Sequence, residues 1–279
     1  MSPKDTKGKA KEGMSAGGPS KSSGGSSESS GGSSKPTKTE LEYAASTLAW
    51  ALETIGVTKY GFIGGGAISI FATQYGLRPR QTDDLDLIVQ PTTMSADLVS
   101  SSLTTNETVK GYFASKRDGY VDKPHVLVAR GIGTIYIPVE IFDWQVWPNR
   151  QQYYDLDRDG NTLQCLLINN RQTPLLNPGW LLRQKILAYA QRQNKSRTDI
   201  QDIRSLRSIL AFRDETITIT DDSEVEALKV VLNDSETPDL KGYVQCEAIW
   251  PTQWTWDAKR MDHYRYDELW KKVWRKDST

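Results

Sequence analysis

The chain has 279 residues and balances 35 Lys and Arg against 35 Asp and Glu, so its formal net charge is zero. Residues 1–38 hold seven lysines against three acids, a net of +4, which leaves −4 on residues 39–279 and excludes a strongly basic nucleic-acid binder. No apolar run approaches the ~18–20 residues that cross a bilayer and no apolar leader opens the chain, so an intracellular, cytoplasmic protein without membrane contact is expected.

Residues 1–38 are dominated by Ser, Gly and Lys. They cannot bury enough apolar surface to offset the entropy of ordering, and a disordered tail is predicted. Leu41, Ala45, Leu48, Leu52 and Ile55 then recur at helical spacing, predicting a helix over 39–56 that ends on Gly56. Residues 59–63 read as a strand, Gly64-Gly65-Gly66 as a turn, Ala67–Tyr75 as a second helix, and Asp84–Val89 as a strand stopped by Pro91. Residues 125–129 and 134–143 flank Gly131-Ile132-Gly133 and predict a hairpin; 161–168 predicts one more strand. After Pro178 the pattern becomes helical, over 179–193, 198–213 and 222–233, the last opened by Asp221 as a cap. Five of the nine tryptophans fall in 242–279, where Tyr266, Leu269, Trp270, Val273 and Trp274 fit one face of a last helix. An aromatic stripe at that spacing reads as core packing.

Cys165 and Cys246 stand alone, without metal-type spacing, and His125 and His263 sit in unrelated contexts. That leaves little for a disulfide framework, a zinc cluster or a histidine relay. Enzyme chemistry in this chain would fall to carboxylates, which without histidine usually hold a metal.

The stretch GGGAISIFATQYGLRPRQTDDLDLIV is open to three readings. A dinucleotide cradle fails twice: the sixth fingerprint position is Ser69, and the acids open the second strand rather than close it. For Asp-x-Asp alone, a half-exposed edge strand with solvated acids is the favoured reading. A metal site asks that Asp84 and Asp86 share one strand face, Cα atoms about 6.5–7 Å apart, with Asp83 and Leu85 on the other. Two such carboxylates repel unless a cation lies between them.

Phe62-Ile63-Gly64-Gly65-Gly66-Ala67, followed by Gly76-x-Arg78-x-Arg80-x-Thr82-x-Asp84-Leu85-Asp86-Leu87, resembles the signature of the polymerase-beta-type nucleotidyltransferase superfamily, in particular its AbiEii-like (abortive-infection-type) branch. The resemblance implies an α/β (α+β) nucleotidyltransferase fold, a small mixed sheet flanked by helices, with a core over 39–172 and a helical region over 173–279. It implies magnesium-dependent transfer of a nucleoside monophosphate from a nucleoside triphosphate to an acceptor hydroxyl, with manganese as the alternative ion. Asp84, Asp86 and a third acid would be catalytic and hold the metal. Gly64, Gly65 and Gly66 would bring backbone amides to the phosphates, with Arg80 and Thr82 beside them.

For the third acid the family's apolar-x-apolar-acid-apolar pattern matches Ile137-Pro138-Val139-Glu140-Ile141, which favours Glu140 and leaves Asp143 as the alternative ligand. A second element of the branch is matched by Lys185, then Arg192, then Lys195 to Asp202, which adds Lys185, Arg192 and Asp199 to the nucleotide-binding set. Lys185 lies in an inward stripe and needs a partner: a triphosphate, or Asp199 or Asp202. The eighteen residues between Gly65 and Asp84 exceed the family's usual spacing, so the helix must be longer or the loop must bulge. The acceptor, whether protein, RNA or small molecule, is not readable, and a catalytically inactive nucleotide- or protein-binding module on this fold is the rival. Asp155-Leu156-Asp157-Arg158-Asp159-Gly160 mimics a calcium loop, but Leu166 stands where the closing Glu belongs, so an acidic turn is expected.

Overall fold

Thr37 opens the first helix: its hydroxyl accepts the Glu40 N–H at 3.3 Å and Glu40 accepts the Thr37 N–H at 2.7 Å, a reciprocal cap. This is seen in a computed structural model that describes residues 35–90, 94–118, 120–143, 156, 162–192 and 196–250. In chain order the elements are α1 (Lys38–Thr54), β1 (Tyr60–Ile63), α2 (Gly64–Gln74), β2 (Leu85–Val89), α3 (Ala96–Thr105), β3 (Phe113–Asp118), β4 (Val121–Arg130) and β5 (Gly133–Asp143). They continue with β6 (Leu163–Ile168), β7 (Arg171–Leu176), α4 (Pro178–Gln191), α5 (Ser196–Arg213), β8 (Ile217–Thr218), α6 (Asp222–Leu232) and β9 (Val244–Gln245).

Seven strands form one mixed sheet in the order β3-β4-β5-β2-β1-β7-β6. β2 runs antiparallel to β1 and parallel to β5, and the register sets Ile63 beside Asp86 and Asp86 beside Glu140. The helices α1, α2 and α3 pack on the sheet, while α4 and α5 pack on α2, so the C-terminal helices join the same compact unit as the sheet. Leu48, Leu52, Phe62, Phe71, Leu87 and Leu175 are fully buried at its centre. Among the described residues no helix is long and apolar enough to cross a membrane.

The long periodic segments fold as the sequence predicts, and five elements go beyond it: the two-residue strands β8 and β9, and three longer ones. In α3 only Val99 and Leu103 are buried, too few to make a stripe. In β3, an edge strand, Phe113 alone is buried and no alternation results. β7 holds Pro174, which reads as a breaker, but its pairing to β1 rests on Phe62 and Leu175, which asks little of the proline. The glycine turn is corrected: Gly64, Gly65 and Gly66 form the first turn of α2, with only Gly64 left-handed at φ 64°. Lys35–Lys38, placed in the tail by composition, belong to the fold, where Lys35 Nζ lies 3.1 Å from Asp83. The rest of that tail, the helix expected around Tyr266–Trp274, and the acidic turn apart from Leu156 lie outside the described residues.

Arg130 fixes the start of α1 to the sheet, its Nε donating to Glu40 at 2.6 Å. That hydrogen bond holds the Glu40 carboxyl down to about 2 from an ordinary 4.5. Because the folded value is the lower one, the stabilisation is present above about pH 4.5 and is lost as pH falls through about 2. Glu40→Gln should therefore flatten the acid limb of the stability curve in that window, followed by denaturant titration at stepped pH. An unchanged acid limb would refute the assignment.

Candidate active site

The strand β2 turns Leu85, Leu87 and Val89 into the core and leaves Asp86 half-buried on the opposite face, with Asp84 one step before the strand on that same side. Its parallel neighbour sets Glu140 directly alongside Asp86. Asp84, Asp86 and Glu140 line one cleft of about 530 Å³. Asp143 pairs with Val89, the core side of the same register, and so faces away from Glu140. Asp83 is exposed at the rim, where it meets Lys35.

The start of α2 presses against these acids. A Cβ on Gly64 would lie 1.8 Å from Asp86 Oδ2, on a backbone conformation that side chains rarely adopt, so only glycine fits. A Cβ on Gly65 would lie 2.3 Å from an Arg80 nitrogen and 3.1 Å from the Thr82 hydroxyl; one on Gly66 would lie 3.2 Å from the Asp84 carbonyl oxygen. No side chain caps α2, and Gly64 and Gly65 line the cleft. The long connection between glycines and acids is taken up by the helix to Gln74 and a return loop, pinned where the Ser69 hydroxyl donates to the Arg80 carbonyl at 2.7 Å. The buried Thr82 hydroxyl donates to Asp84 Oδ1 at 2.8 Å and orients that carboxylate.

Opposite the acids stand the cations of the helical region. Asn177 caps α4 and Pro178 opens it, which aims Lys185, two turns on, into the cleft beside Arg192 and Arg197. Lys185 donates to Asp199 at 3.0 Å and meets Asp202 at 2.8 Å. Asp202 in turn takes a forked contact from Arg80, 2.8 Å from Nε and 3.1 Å from Nη2. Asp199 and Asp202 are each 1% exposed. Burial works against both cations, yet Asp202 and Asp199 hold Lys185 and Arg80 above their ordinary pKa values, so both cations stay charged. Of the partners weighed for Lys185 the structure shows the two acids, and the lysine also lines the cleft.

Two features had no sequence signal. Lys123, at the start of β4, lies 2.6 Å from Glu140 and 2.8 Å from Asp118, contacts made across strands. Arg80 and Asp202 are 122 residues apart in the chain. Burial, and then the charges of Asp84 and Glu140, push the Asp86 carboxyl up to about 7. As they stand, no three His, Cys, Asp or Glu side chains among the described residues converge closely enough to hold a metal ion, and Glu140 is engaged by Lys123. The donors are nevertheless all carboxylate oxygens, the set that suits magnesium or manganese. A larger cavity, about 700 Å³, adjoins the cleft at Arg80 and Thr82 but contains none of the three carboxylates, so chemistry rather than size singles out the cleft.

No family model and no curated protein matches the sequence. Among solved structures, an antigenic nucleotidyltransferase-like protein from Paracoccidioides brasiliensis is similar with a TM-score of 0.65 and 27% identity, over 78% of this chain and 99% of that one. A putative nucleotidyltransferase from H. pylori (TM-score 0.36, 16% identity, 72% and 86% of the two chains) and the lincosamide antibiotic adenylyltransferase LnuA (0.37, 16%, 63% and 99%) are too distant to weigh. The first likeness gives the fold: an α/β nucleotidyltransferase-like fold built on a mixed sheet.

Removing one member of a buried charge network leaves the others uncompensated. Asp202→Ala should cost about 3–5 kcal/mol of stability, seen as a lower urea midpoint at unchanged slope. A loss below about 1 kcal/mol, the range of an exposed pair, would mean that the network does not join loop to helices.

Proposed function

We propose that the cleft transfers a nucleoside monophosphate from a nucleoside triphosphate to an acceptor hydroxyl and releases pyrophosphate, in the manner of the AbiEii-like branch of the polymerase-beta-type nucleotidyltransferases. The observation that carries this reading is the register that sets Glu140 beside Asp86, with Asp84 in the same cleft and the start of α2 against them. The fold shared with a nucleotidyltransferase-like protein supports it.

On this reading the uncapped amides of Gly64, Gly65 and Gly66 and the cations Arg80, Lys185 and Arg192 receive the triphosphate, whose charge they offset. Thr82 keeps Asp84 in place and Asp199 keeps Lys185 in place. Asp84, Asp86 and Glu140 would hold magnesium or manganese, and a bound divalent cation would supply charge neutralisation at the transferring phosphate. The acceptor oxygen forms the new bond to the α-phosphorus as the bond to the pyrophosphate oxygen breaks. The proton of the hydroxyl passes to Glu140, the carboxylate next to Asp86 on the neighbouring strand. Acceptors of three kinds suit this chemistry: a protein, an RNA or a small molecule. A catalytically silent nucleotide- or protein-binding module is the second reading, and the contact of Lys123 with Glu140 is what favours it, because an ammonium stands against the third carboxylate.

The test is to incubate the purified protein with each labelled nucleoside triphosphate, Mg²⁺ or Mn²⁺, and in turn total RNA, cell lysate protein and lysate metabolites. Transfer of label is expected in one arm, falling by about 100-fold or more in Asp84→Ala and in Asp86→Ala. Wild-type protein that transfers no more label than these variants in every arm would remove the enzymatic reading. Metal-dependent nucleotide binding that survives both substitutions would place the ion elsewhere.

A further inference from the structure

Lys123 stands between two carboxylates of unequal exposure. Its Nζ lies 2.6 Å from Glu140 Oε1, on the strand beside Asp86, and 2.8 Å from Asp118 Oδ2, at the end of β3. The Glu140 side chain is 35% exposed and lines the cleft, whereas that of Asp118 is 68% exposed and lies outside its lining. Lys123 itself is not part of the lining. It reaches Glu140 from the neighbouring strand rather than from the nucleotide side. A lysine side chain is a compact charge on a flexible stem, able to change partner without moving the backbone.

We propose that Lys123 is a built-in counter-ion for the third carboxylate, which Asp118 draws away when a divalent cation binds at Asp86 and Glu140. The inference rests on the proposed role of Glu140 as a metal ligand. Without a metal, Glu140 and Asp86 are neighbours of like charge, and the ammonium offsets one of them. An arriving cation replaces that ammonium as the partner of Glu140. Lys123 then keeps Asp118, so neither charge is left bare. Lys123 is thereby a positioning residue: it touches no substrate and sets how readily Glu140 is released.

Competition predicts shifts of opposite sign at two neighbouring positions, which a general loss of structure would not produce. Mn²⁺ binding to the full-length protein, without nucleotide, is followed by the spin-resonance signal of the free ion. Lys123→Met keeps the apolar stem and should tighten Mn²⁺ binding about two- to fivefold, the size that a part-exposed ion pair supports. Asp118→Asn leaves Lys123 to Glu140 alone and should weaken binding by a similar factor. Lys123→Arg keeps the charge and should stay near wild type. Wild-type binding that is lost in Asp86→Ala but unmoved in Lys123→Met and Asp118→Asn, or moved in one direction by both, overturns this inference and leaves the proposed function standing. Wild-type protein that binds no Mn²⁺ overturns the metal assignment of the proposed function and this inference with it.

Discussion

Two carboxylates sealed from water between a lysine and an arginine hold the cleft in shape. Taking Asp199 and Asp202 out of solvent costs several kcal/mol each, and only close, hydrogen-bonded cations return it. Lys185 comes from α4, Arg80 from the loop before β2, and the acids from α5, so three separate segments must meet for any of the four charges to be tolerated. Buried ion pairs add little net stability against an apolar alternative. What they enforce here is position. With Arg80 fixed on Asp202, Thr82 two residues later is fixed as well, and through its hydroxyl so is Asp84.

The acidic wall is positioned by different physics. Leu85, Leu87 and Val89 on β2, with Val139 on β5, bury one face of the two strands, and a slip of one residue would turn those side chains outward. The register that satisfies the core is therefore the one that pairs Asp86 with Glu140. Asp86 and Glu140 come from the sheet, and Lys185, Arg192 and Arg197 from the helical region, so strands and helices bring charges of opposite sign to one cleft. A triphosphate with its cation needs both kinds of wall.

Periodicity made much of this legible. The alternation at Asp84-Leu85-Asp86 and at Val139-Glu140-Ile141 placed the acids on the correct strand faces, and the apolar stripes gave α1, α4, α5 and α6 to within a few residues of their ends. Pairings across the chain were out of reach. Asp199 and Asp202 could be named as partners of Lys185 because they follow it closely, whereas Arg80 and Asp202 share no local pattern. Lys123 was invisible for the same reason: β3 and the start of β4 are exposed and show no alternation. The glycines misled in a subtler way. A turn and a close approach both require the absence of Cβ, and only the 1.8 Å gap to Asp86 distinguishes the second.

The long spacing between Gly65 and Asp84 looked like a flaw in the pattern, and its use follows from the buried acids. Pairing of Ile63 with Asp86 already brings the ends of that segment together, so the extra length is not needed to form the sheet. It is needed to carry Arg80 out to Asp202 and back past Gly65, with Ser69 pinning the return. A shorter connection could still close the strands, but it would leave Lys185 alone against Asp199 and Asp202. One cation facing two carboxylates at 1% exposure is a net buried negative charge, which proteins avoid by protonating an acid or unfolding locally. The second buried acid and the long loop therefore require each other: Asp202 makes an arginine necessary, and the eighteen intervening residues make one available.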